Sequence, residues 1–230
     1  MIDINKTLDL VKLKFFNEWI YTVMSSDPTT EFHKDITEKS IEMHIDPLEI
    51  PKGAAILDIG CGQGYFLDNM KEKGYTNMLG ITLNDSDTEI CRTKGHNVKN
   101  YDMTFLPQKD GFNDETIDFV FLRQMLQCSP YPIFTLVEYN RIMKLNAKIY
   151  IEVPAPNNDD RKHEFNVENY SVMGHVQLAA LLQRTGFRID KFNDMKFDLS
   201  VKNADSGETV TIPEVYYSIV ATKTRPIDIK

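Results

Sequence analysis

The residues with the clearest chemical pattern form the segment ILDIGCGQGYFL, residues 56–67. An apolar run contains Asp58 near its end, and Gly60, Gly62 and Gly64 then follow at every second position. Glycines permit positive φ and let a ligand approach the backbone closely. The helix expected next begins with unpaired N–H groups and a positive dipole end. The segment therefore predicts a ligand-binding turn with a carboxylate beside it.

The spacing disfavours two phosphate-binding motifs. A P-loop requires GxxxxGK[ST], and no Lys follows Gly64. The dinucleotide fingerprint is GxGxxG, whereas the glycines here follow GxGxG, with Asp58 two residues before the first. A tight turn that serves packing alone stays open as an interpretation of the glycines by themselves.

Strand and helix patterns alternate from residue 54 to residue 186 and predict the elements that position this turn. The predicted strands of this region are 54–59, 78–83, 97–101, 116–122 and 148–153. The predicted helices follow the glycines as far as Gly74, run from Asp85 or Ser86 to Lys94, and cover 132–143 and 175–186.

The chain after residue 186 has a different pattern. Residues 187–201 and 210–223 are predicted as strands joined by the turn KNADSGE, without a helix between them. Together these patterns predict an α/β fold, a doubly wound and mostly parallel seven-stranded sheet with helices on both faces. The last two strands are expected to form an antiparallel C-terminal edge hairpin.

Helical patterns also precede the sheet. Ile4, Leu8, Val11, Phe15 and Trp19 recur at spacings of four and three, typical of one helical face. A second pattern covers residues from about 35 to 44 and ends before a proline. We interpret the first helix as packing on the domain, and a lid over a ligand site is compatible with that interpretation. Charges interrupt the N-terminus, so a signal peptide is not predicted, and no apolar run reaches the length of a membrane span.

The glycine turn resembles motif I of class I S-adenosylmethionine (SAM)-dependent methyltransferases, [DE]xGxGxG, which reads here as Asp58, Gly60, Gly62 and Gly64. Later family segments are matched in order over about residues 56–187, and the chain is most similar to the small-molecule (type 11) branch. The matching segments are GITLN, Asp102, Leu106–Pro107, IDFVF, Glu138 and Arg141 before IMKLNA, and Gly186–Phe187.

The resemblance implies a single class I methyltransferase domain over residues 1–230. Residues 1–50 would be an N-terminal helical extension or lid, 54–153 the cofactor-binding half, and 154–230 the acceptor-side loop, helix and C-terminal hairpin. The implied cofactor is SAM, the product is S-adenosylhomocysteine (SAH), and no metal is expected. The implied reaction transfers the methyl group to a small-molecule acceptor such as a sugar, a lipid-linked compound or an amine.

The resemblance also implies roles for individual residues. The glycines would border the methionine part of SAM, Asp58 would hold its ammonium, and Asp102 would accept from the adenine amino group, with the Met103 backbone N–H nearby. These roles are chemically sensible because SAM carries an ammonium, a sulfonium and an exocyclic amine. The full set of implied cofactor-binding residues is Asp58, Gly60, Cys61, Gly62, Gly64, Thr82, Leu83, Asp87, Asp102, Met103, Leu122 and Gln124.

The sequence departs from the family pattern at two positions. Most members end strand two in Asp or Glu, which binds the ribose hydroxyls, whereas Thr82 stands here. We interpret Thr82, Asn84 and Asp87 as sharing the ribose. The usual KPGG turn is KLNA at 144–147, where Asn146 can adopt the left-handed conformation of a glycine.

Composition limits the class of partner and site. Lys and Arg total 26 and Asp and Glu total 34, so the net charge of −8 disfavours nucleic acid as partner. The scattered Cys61, Cys91 and Cys128 form no CxxC, which is typical of a reducing compartment, and we expect a cytoplasmic monomer or homodimer. The histidines show no HxxxH or HxH spacing, so the sequence predicts no structural metal site.

Acceptor-side candidates lie after the fourth and fifth strands. Arg123, Gln124, Gln127 and Cys128 follow strand four, and Glu152 and a long loop belong to the end of strand five. The candidate catalytic residues, each of which could instead be solvent-facing or locally bonded, are His163, Tyr170 and His175.

Three functional hypotheses stay open at the level of sequence. The first is a small-molecule methyltransferase, and the second is a catalytically silent SAM-binding subunit that supports a partner. The third is a nucleotide-dependent oxidoreductase of similar topology, which the glycine spacing disfavours. O-, N- and C-methylation are not distinguished by these residues, and a general base is needed only if the acceptor must lose a proton.

Overall fold

The computed structural model describes residues 31–156, 164, 166–202 and 209–227. The predicted helix over Ile4–Trp19, the candidate His163 and most of the KNADSGE turn lie outside this part of the chain. The described part contains the glycine turn and the segments that follow each parallel strand.

A seven-stranded sheet organises the described chain, with strand order β3-β2-β1-β4-β5-β7-β6. The strands β1 to β5 run parallel, and β7 pairs antiparallel with both β5 and β6. This confirms the predicted fold class and the antiparallel edge hairpin. The strand bounds are Ile56–Ile59, Met78–Thr82, Val98–Asn100, Ile117–Arg123, Met143–Pro154, Phe187–Lys202 and Thr209–Lys223, numbered β1 to β7.

Helices cover both faces of the sheet. Their bounds are Glu31–Ser40, Tyr65–Glu72, Asp85–Thr93, Pro132–Ile142 and His175–Arg184, numbered α1 to α5. The second N-terminal pattern, predicted at 35–44, forms α1 and a π-helical turn, Ile41–Ile45. Short 3-10 turns occupy Asp46–Leu48, Gln108–Asp110 and Leu126–Cys128.

Two apolar cores hold these layers together. On one face, residues of α4 and α5 such as Leu136 and Leu178 pack against the strands. On the other, α2 and the π-helical turn pack on an aromatic stack in which Phe121 lies between Phe66 and Tyr150, with ring centroids 3.9 and 5.3 Å away. Since β1 is buried along its whole length, it reads as a continuous apolar run broken only by Asp58.

The passage from α4 to β5 differs from the predicted one. A separate turn is expected at 144–147, but the strand begins at Met143, immediately after the helix. The register of β4 and β5 shifts between Ile117 and Phe119 to accommodate the extra residues. Asn146 has φ of 67°, which confirms the left-handed conformation expected of it.

The strand order places a switch point between β1 and β4. After β3 the chain returns across β2 and β1 to form β4 on the other side of β1. In open α/β sheets, ligands bind beyond the carboxyl ends of the strands at such a point. Asp58 and Arg123 lie at or next to these ends, so the glycine turn faces the expected binding crevice.

Candidate active site

The glycine turn is built from left-handed backbone. Gly60, Gly62 and Gly64 have φ of 68°, 47° and 87°, a region that side chains other than glycine rarely adopt. The Cys61 N–H donates to the Ile81 carbonyl at 2.9 Å, so the turn is attached to β2. The alternating glycines are therefore required by the backbone path that leads from β1 into α2.

Asp58 is the buried carboxyl group of this turn. It is 2% exposed, and its Oδ2 has no hydrogen-bond partner among the described residues. Burial raises the pKa of Asp58 well above its usual value; the nearby Cys91 thiol raises it further and the Arg123 guanidinium opposes the rise. A buried carboxylate oxygen without a partner indicates a site for a hydrogen-bond donor, and a cation fits best.

The segment after β4 packs directly on the glycine turn. A Cβ at Gly60 would lie 2.2 Å from Cγ of Met125, so the methionine side chain occupies the space that a side chain at position 60 would need. The preceding Gln124 has φ of 55°, unusual for a residue other than glycine, and its N–H donates to the Glu152 carbonyl at 2.8 Å. Leu122, one of the predicted cofactor residues, is fully buried in β4.

The end of β2 forms a compact polar turn before α3. The hydroxyl oxygen of the buried Thr82 accepts from the Asn84 N–H at 3.3 Å. The Asn84 side chain in turn accepts from the Asp87 N–H at 3.1 Å and thereby caps α3. The Asn84 side-chain oxygen is therefore engaged in capping the helix. The neighbouring Leu83, half-buried, accepts from the Asn100 side chain through its carbonyl.

The carboxylate expected to bind adenine follows β3. Asp102 Oδ1 accepts from the Thr104 N–H at 2.7 Å, which fixes the side chain in a turn. Burial raises the pKa of Asp102, and the hydrogen bonds from Thr104 oppose the rise. The adjacent Met103 is buried. Asp58, Thr82 and Asp102 thus stand at the carboxyl ends of three adjacent strands, β1, β2 and β3.

Tyr170 and His175, the described candidates for catalysis, lie in different places. The N–H groups of Tyr170 and Ser171 both donate to the Gln127 carbonyl, at 2.8 and 2.9 Å, which holds their loop against the turn after β4. Burial raises the pKa of Tyr170. This candidate therefore stands next to the segment that packs on the glycine turn.

His175 begins α5 beside the edge hairpin. Its Nε2 lies 2.7 Å from Asp194 Oδ1, and its ring packs against Phe192 and Tyr217. These partners belong to β6 and β7, and β7 is two strands away from β4 in the sheet. The partners that hold His175 thus differ from those that hold the Tyr170 loop.

A buried polar cluster at the end of β5 was not predicted from the sequence as a unit. The Glu152 carboxylate is fully buried and accepts from Ser40 Oγ at 3.0 Å, Tyr150 Oη at 2.8 Å and Gln124 Nε2 at 3.2 Å. Arg123 Nε lies 2.9 Å from Glu152 Oε1 as an ion pair, without hydrogen-bond geometry. The cluster joins α1, β4 and β5, and only the candidate positions of Arg123, Gln124 and Glu152 were visible in advance.

We expect E152Q to destabilise the chain strongly. The substitution leaves the Arg123 guanidinium, 12% exposed, without its counter-charge, and breaking a buried pair costs roughly 3–5 kcal/mol. Urea denaturation followed by circular dichroism measures the change. The matched control is D46N, which removes an exposed ion pair with Lys73 and is expected to cost less than about 1 kcal/mol. Equal effects of the two substitutions would contradict a structural role for the Glu152 charge.

Comparisons with known proteins agree with this geometry. The family model described as "Methyltransferase domain" matches residues 37–191, about two thirds of the chain, including the glycine turn and the segments after β2, β3 and β4. The chain belongs to the class I methyltransferase family. The match spans every strand-end residue discussed above except those of the hairpin.

Two curated relatives match this chain at low identity or over a short segment. A tRNA U34 carboxymethyltransferase of Pseudoalteromonas translucida is 26% identical over 206 residues, which cover 82% of this chain and 61% of that protein. The 24-methylenesterol C-methyltransferase 2 of Arabidopsis thaliana is 36% identical over 67 residues, 29% of this chain and 18% of that protein. This chain therefore spans less than two thirds of the length of these curated relatives.

A solved structure shares the fold. A SAM-dependent methyltransferase from Archaeoglobus fulgidus superimposes with a TM-score of 0.64 at 20% identity, covering 83% of this chain and 94% of that one. Within the described residues of this chain, no helix is long and apolar enough to cross a bilayer. The same described residues contain no group of three or more His, Cys, Asp or Glu side chains arranged to hold a metal ion.

Proposed function

We propose that this methyltransferase transfers the methyl group of SAM to a small-molecule acceptor by in-line displacement. The observation that carries the proposal is the buried Asp58 carboxylate, whose Oδ2 has no partner in the described chain and which lies beside a left-handed glycine turn at the switch point. An ammonium group next to this oxygen would satisfy it. A pyrophosphate there would place like charges together, which supports SAM over a dinucleotide.

The described residues fit the three polar parts of SAM. Asp58 would accept from the ammonium, and the glycine turn would leave room for the methionine chain. Thr82 at the end of β2 and Asp87 in the first turn of α3, both buried, would face the ribose, and Asp102 would accept from the adenine amine. The other proposed cofactor neighbours are Cys61, Leu83, Met103, Leu122 and Gln124.

Methyl transfer from SAM depends more on alignment of the reactants than on general acid or base catalysis. When bound, SAM supplies a methyl group on a sulfonium, which leaves as the neutral thioether of SAH. The chain's part is to hold the acceptor in line with that methyl group and to exclude water, and such positioning contributes roughly 7–11 kcal/mol. The turn after β4 is well placed for this, because Met125 contacts the glycine turn and Gln127 holds the loop of Tyr170.

The acceptor is proposed to be a small molecule rather than a nucleic acid. The net charge of −8 supports this choice, because phosphate backbones require a basic surface. The matching sterol methyltransferase acts, by its name, on a small apolar molecule. The matching tRNA enzyme covers more of the chain and makes tRNA the second candidate. A sugar, a lipid-linked compound or an amine is the acceptor class that we infer.

The test separates binding from transfer. Calorimetry with SAM, SAH and NAD measures the cofactor, and we expect micromolar or tighter binding of SAM and SAH but not of NAD. SAH release is then measured with panels of sugars, lipids and amines and with bulk tRNA. Release with tRNA alone would contradict the small-molecule proposal. SAM binding without SAH release from any acceptor would favour a silent SAM-binding subunit.

We expect D102A to weaken SAM binding by roughly 1–3 kcal/mol, the loss of one buried hydrogen bond to the adenine amine. The measurement is the Kd for SAM at constant pH. E89A, which removes an exposed carboxylate from α3, is the control and should leave the Kd unchanged. An unchanged Kd in D102A would remove Asp102 from the adenine site.

A further inference from the structure

The segment that carries the proposed adenine contact has little regular structure of its own. Between β3 and β4, residues 102–114, here called the adenine-side segment, contain only the 3-10 turn Gln108–Asp110. Asp102 lies at its start. A carboxylate can select adenine only if its depth in the site is fixed, so the groups that hold this segment matter for binding.

One face of α4 holds the segment at successive points. Thr135, Glu138 and Arg141 are spaced by three residues and therefore lie along one side of the helix. Thr135 Oγ1 lies 2.9 Å from Thr104 Oγ1, and Glu138 Oε1 accepts from the Leu106 N–H at 3.1 Å. The helix thus contacts the segment two and four residues after Asp102.

The Arg141 guanidinium makes five hydrogen bonds at the centre of this arrangement. It donates to the carbonyls of Leu106 at 2.6 Å and Phe112 at 2.9 Å, so one group spans most of the segment. The remaining bonds go to the carboxylates of Glu138 and Asp114. Bonds to these carboxylates raise the pKa of Arg141, and the bond from Arg141 lowers the pKa of Asp114.

Glu138 and Arg141 together bind both backbone groups of a single residue, and this pair is here called the fork. Glu138 receives the Leu106 N–H while Arg141 donates to the Leu106 carbonyl, so both backbone groups of Leu106 are fixed by one ion pair of 2.7 Å. The pair is 26% and 21% exposed, which limits screening by solvent. A lysine cannot reproduce this fork, because it is a point charge with fewer donors.

We propose that Glu138 and Arg141 are positioning residues that set the place of Asp102 for the adenine of the cofactor. The inference rests on the proposed SAM site. The sheet is held by its own ladders, whereas the side-chain hydrogen bonds of this fork to described residues outside α4 fall on the adenine-side segment. The Arg141 carbonyl also accepts from the Glu115 N–H, a backbone bond that R141K would keep. Loss of the fork is expected to loosen the segment and to weaken binding of the nucleoside half of the ligand.

The test is a double-mutant cycle of R141K and D102A, read with two ligands. SAH carries the nucleoside and the amino acid, whereas 5′-methylthioadenosine carries the nucleoside alone. We expect R141K to weaken both ligands by about tenfold, and by less than about twofold when D102A is already present, because interacting residues are not additive. The control is K144A, three residues after Arg141 in the chain. This substitution removes an exposed ion pair with Asp118 and should change neither affinity.

Each outcome decides the inference. An equal loss in the wild-type and D102A backgrounds would indicate a general structural role, and a loss for SAH alone would place the effect at the amino-acid end; both contradict the proposal. Should R141K fail to fold, E138Q, which keeps the shape of the side chain, enters the same cycle. If the unaltered chain binds neither ligand, the proposed function falls together with the inference, whereas normal binding by R141K overturns the inference alone.

Discussion

We expect G60V to abolish binding of SAM and SAH and to destabilise the chain. A valine at this position would need φ of 68°, and its Cβ would lie 2.2 Å from Met125 Cγ and 2.4 Å from its sulfur. Left-handed backbone costs roughly 1–2 kcal/mol and overpacking roughly 1–3 kcal/mol, so the free energy of unfolding should fall by about 2–5 kcal/mol. Calorimetry with SAH and thermal unfolding measure both effects.

The matched control for this substitution is G53V. Gly53 precedes β1 in an exposed turn, and nothing lies within 4 Å of a Cβ built on it. We expect this variant to unfold near the wild-type temperature and to bind SAH normally. G60A is the milder variant, because it adds only the Cβ that meets Met125 and not the two further methyl groups of valine. SAH affinity can then be compared with the loss of stability in both variants. Retention of SAH affinity in a folded G60A or G60V protein would contradict the proposed cofactor turn.

D58N is expected to lose SAM affinity by about 100-fold or more while stabilising the ligand-free protein. An amide keeps the shape of Asp58 but cannot pair with an ammonium, and loss of such a pair costs roughly 3–5 kcal/mol. In the ligand-free chain the effect has the opposite sign. A buried carboxylate whose Oδ2 lacks a partner destabilises the fold when it is ionised, and the amide removes this charge.

The pH dependence of D58N gives a second measurement. Because burial raises the pKa of Asp58, the folded state retains its proton when the unfolded state has lost it. The stability contributed by this group is therefore complete below the usual Asp pKa and falls as the pH rises toward the folded pKa. D58N should lack this fall. Equal pH profiles of unfolding for the ligand-free wild type and D58N would argue against the raised pKa.

Ligand binding should reverse the proton balance at Asp58. An ammonium next to the carboxylate lowers its pKa, so binding of SAH is expected to release a proton from the fraction of Asp58 that is protonated. Calorimetry in two buffers of different ionisation enthalpy detects such release. D58N should show none from this group. The loss of affinity in D58N should be absent for 5′-methylthioadenosine, which has no ammonium.

Local patterns predicted the fold well because each element carried its own signal. The alternation of strands and helices, the glycine turn after β1 and the helix-free tail led to the observed sheet and its antiparallel edge. Asn146 was expected to replace a glycine, and its φ of 67° confirms that expectation. These features depend on residues close together in the sequence, where turn chemistry and periodicity act.

Contacts between distant residues were not predictable in the same way. Ser40 and Glu152 are 112 positions apart, and nothing in either segment indicates that a helix before the sheet reaches the end of β5. The Met125 side chain fills the space above Gly60, and nothing in the sequence around Met125 indicates this contact. Thr135, Glu138 and Arg141 lie within a helix that the sequence predicts, but their partners on the adenine-side segment were not predicted from it.

The contact of Met125 with Gly60 has a consequence for how the two proposed ligands affect each other's binding. One side chain separates the backbone proposed to surround the methyl donor from the turn proposed to face the acceptor. We therefore expect a shift in either backbone to act on the other through this contact. Occupancy on one side should change affinity on the other, and thermodynamic linkage requires the factor to be the same whichever molecule arrives first.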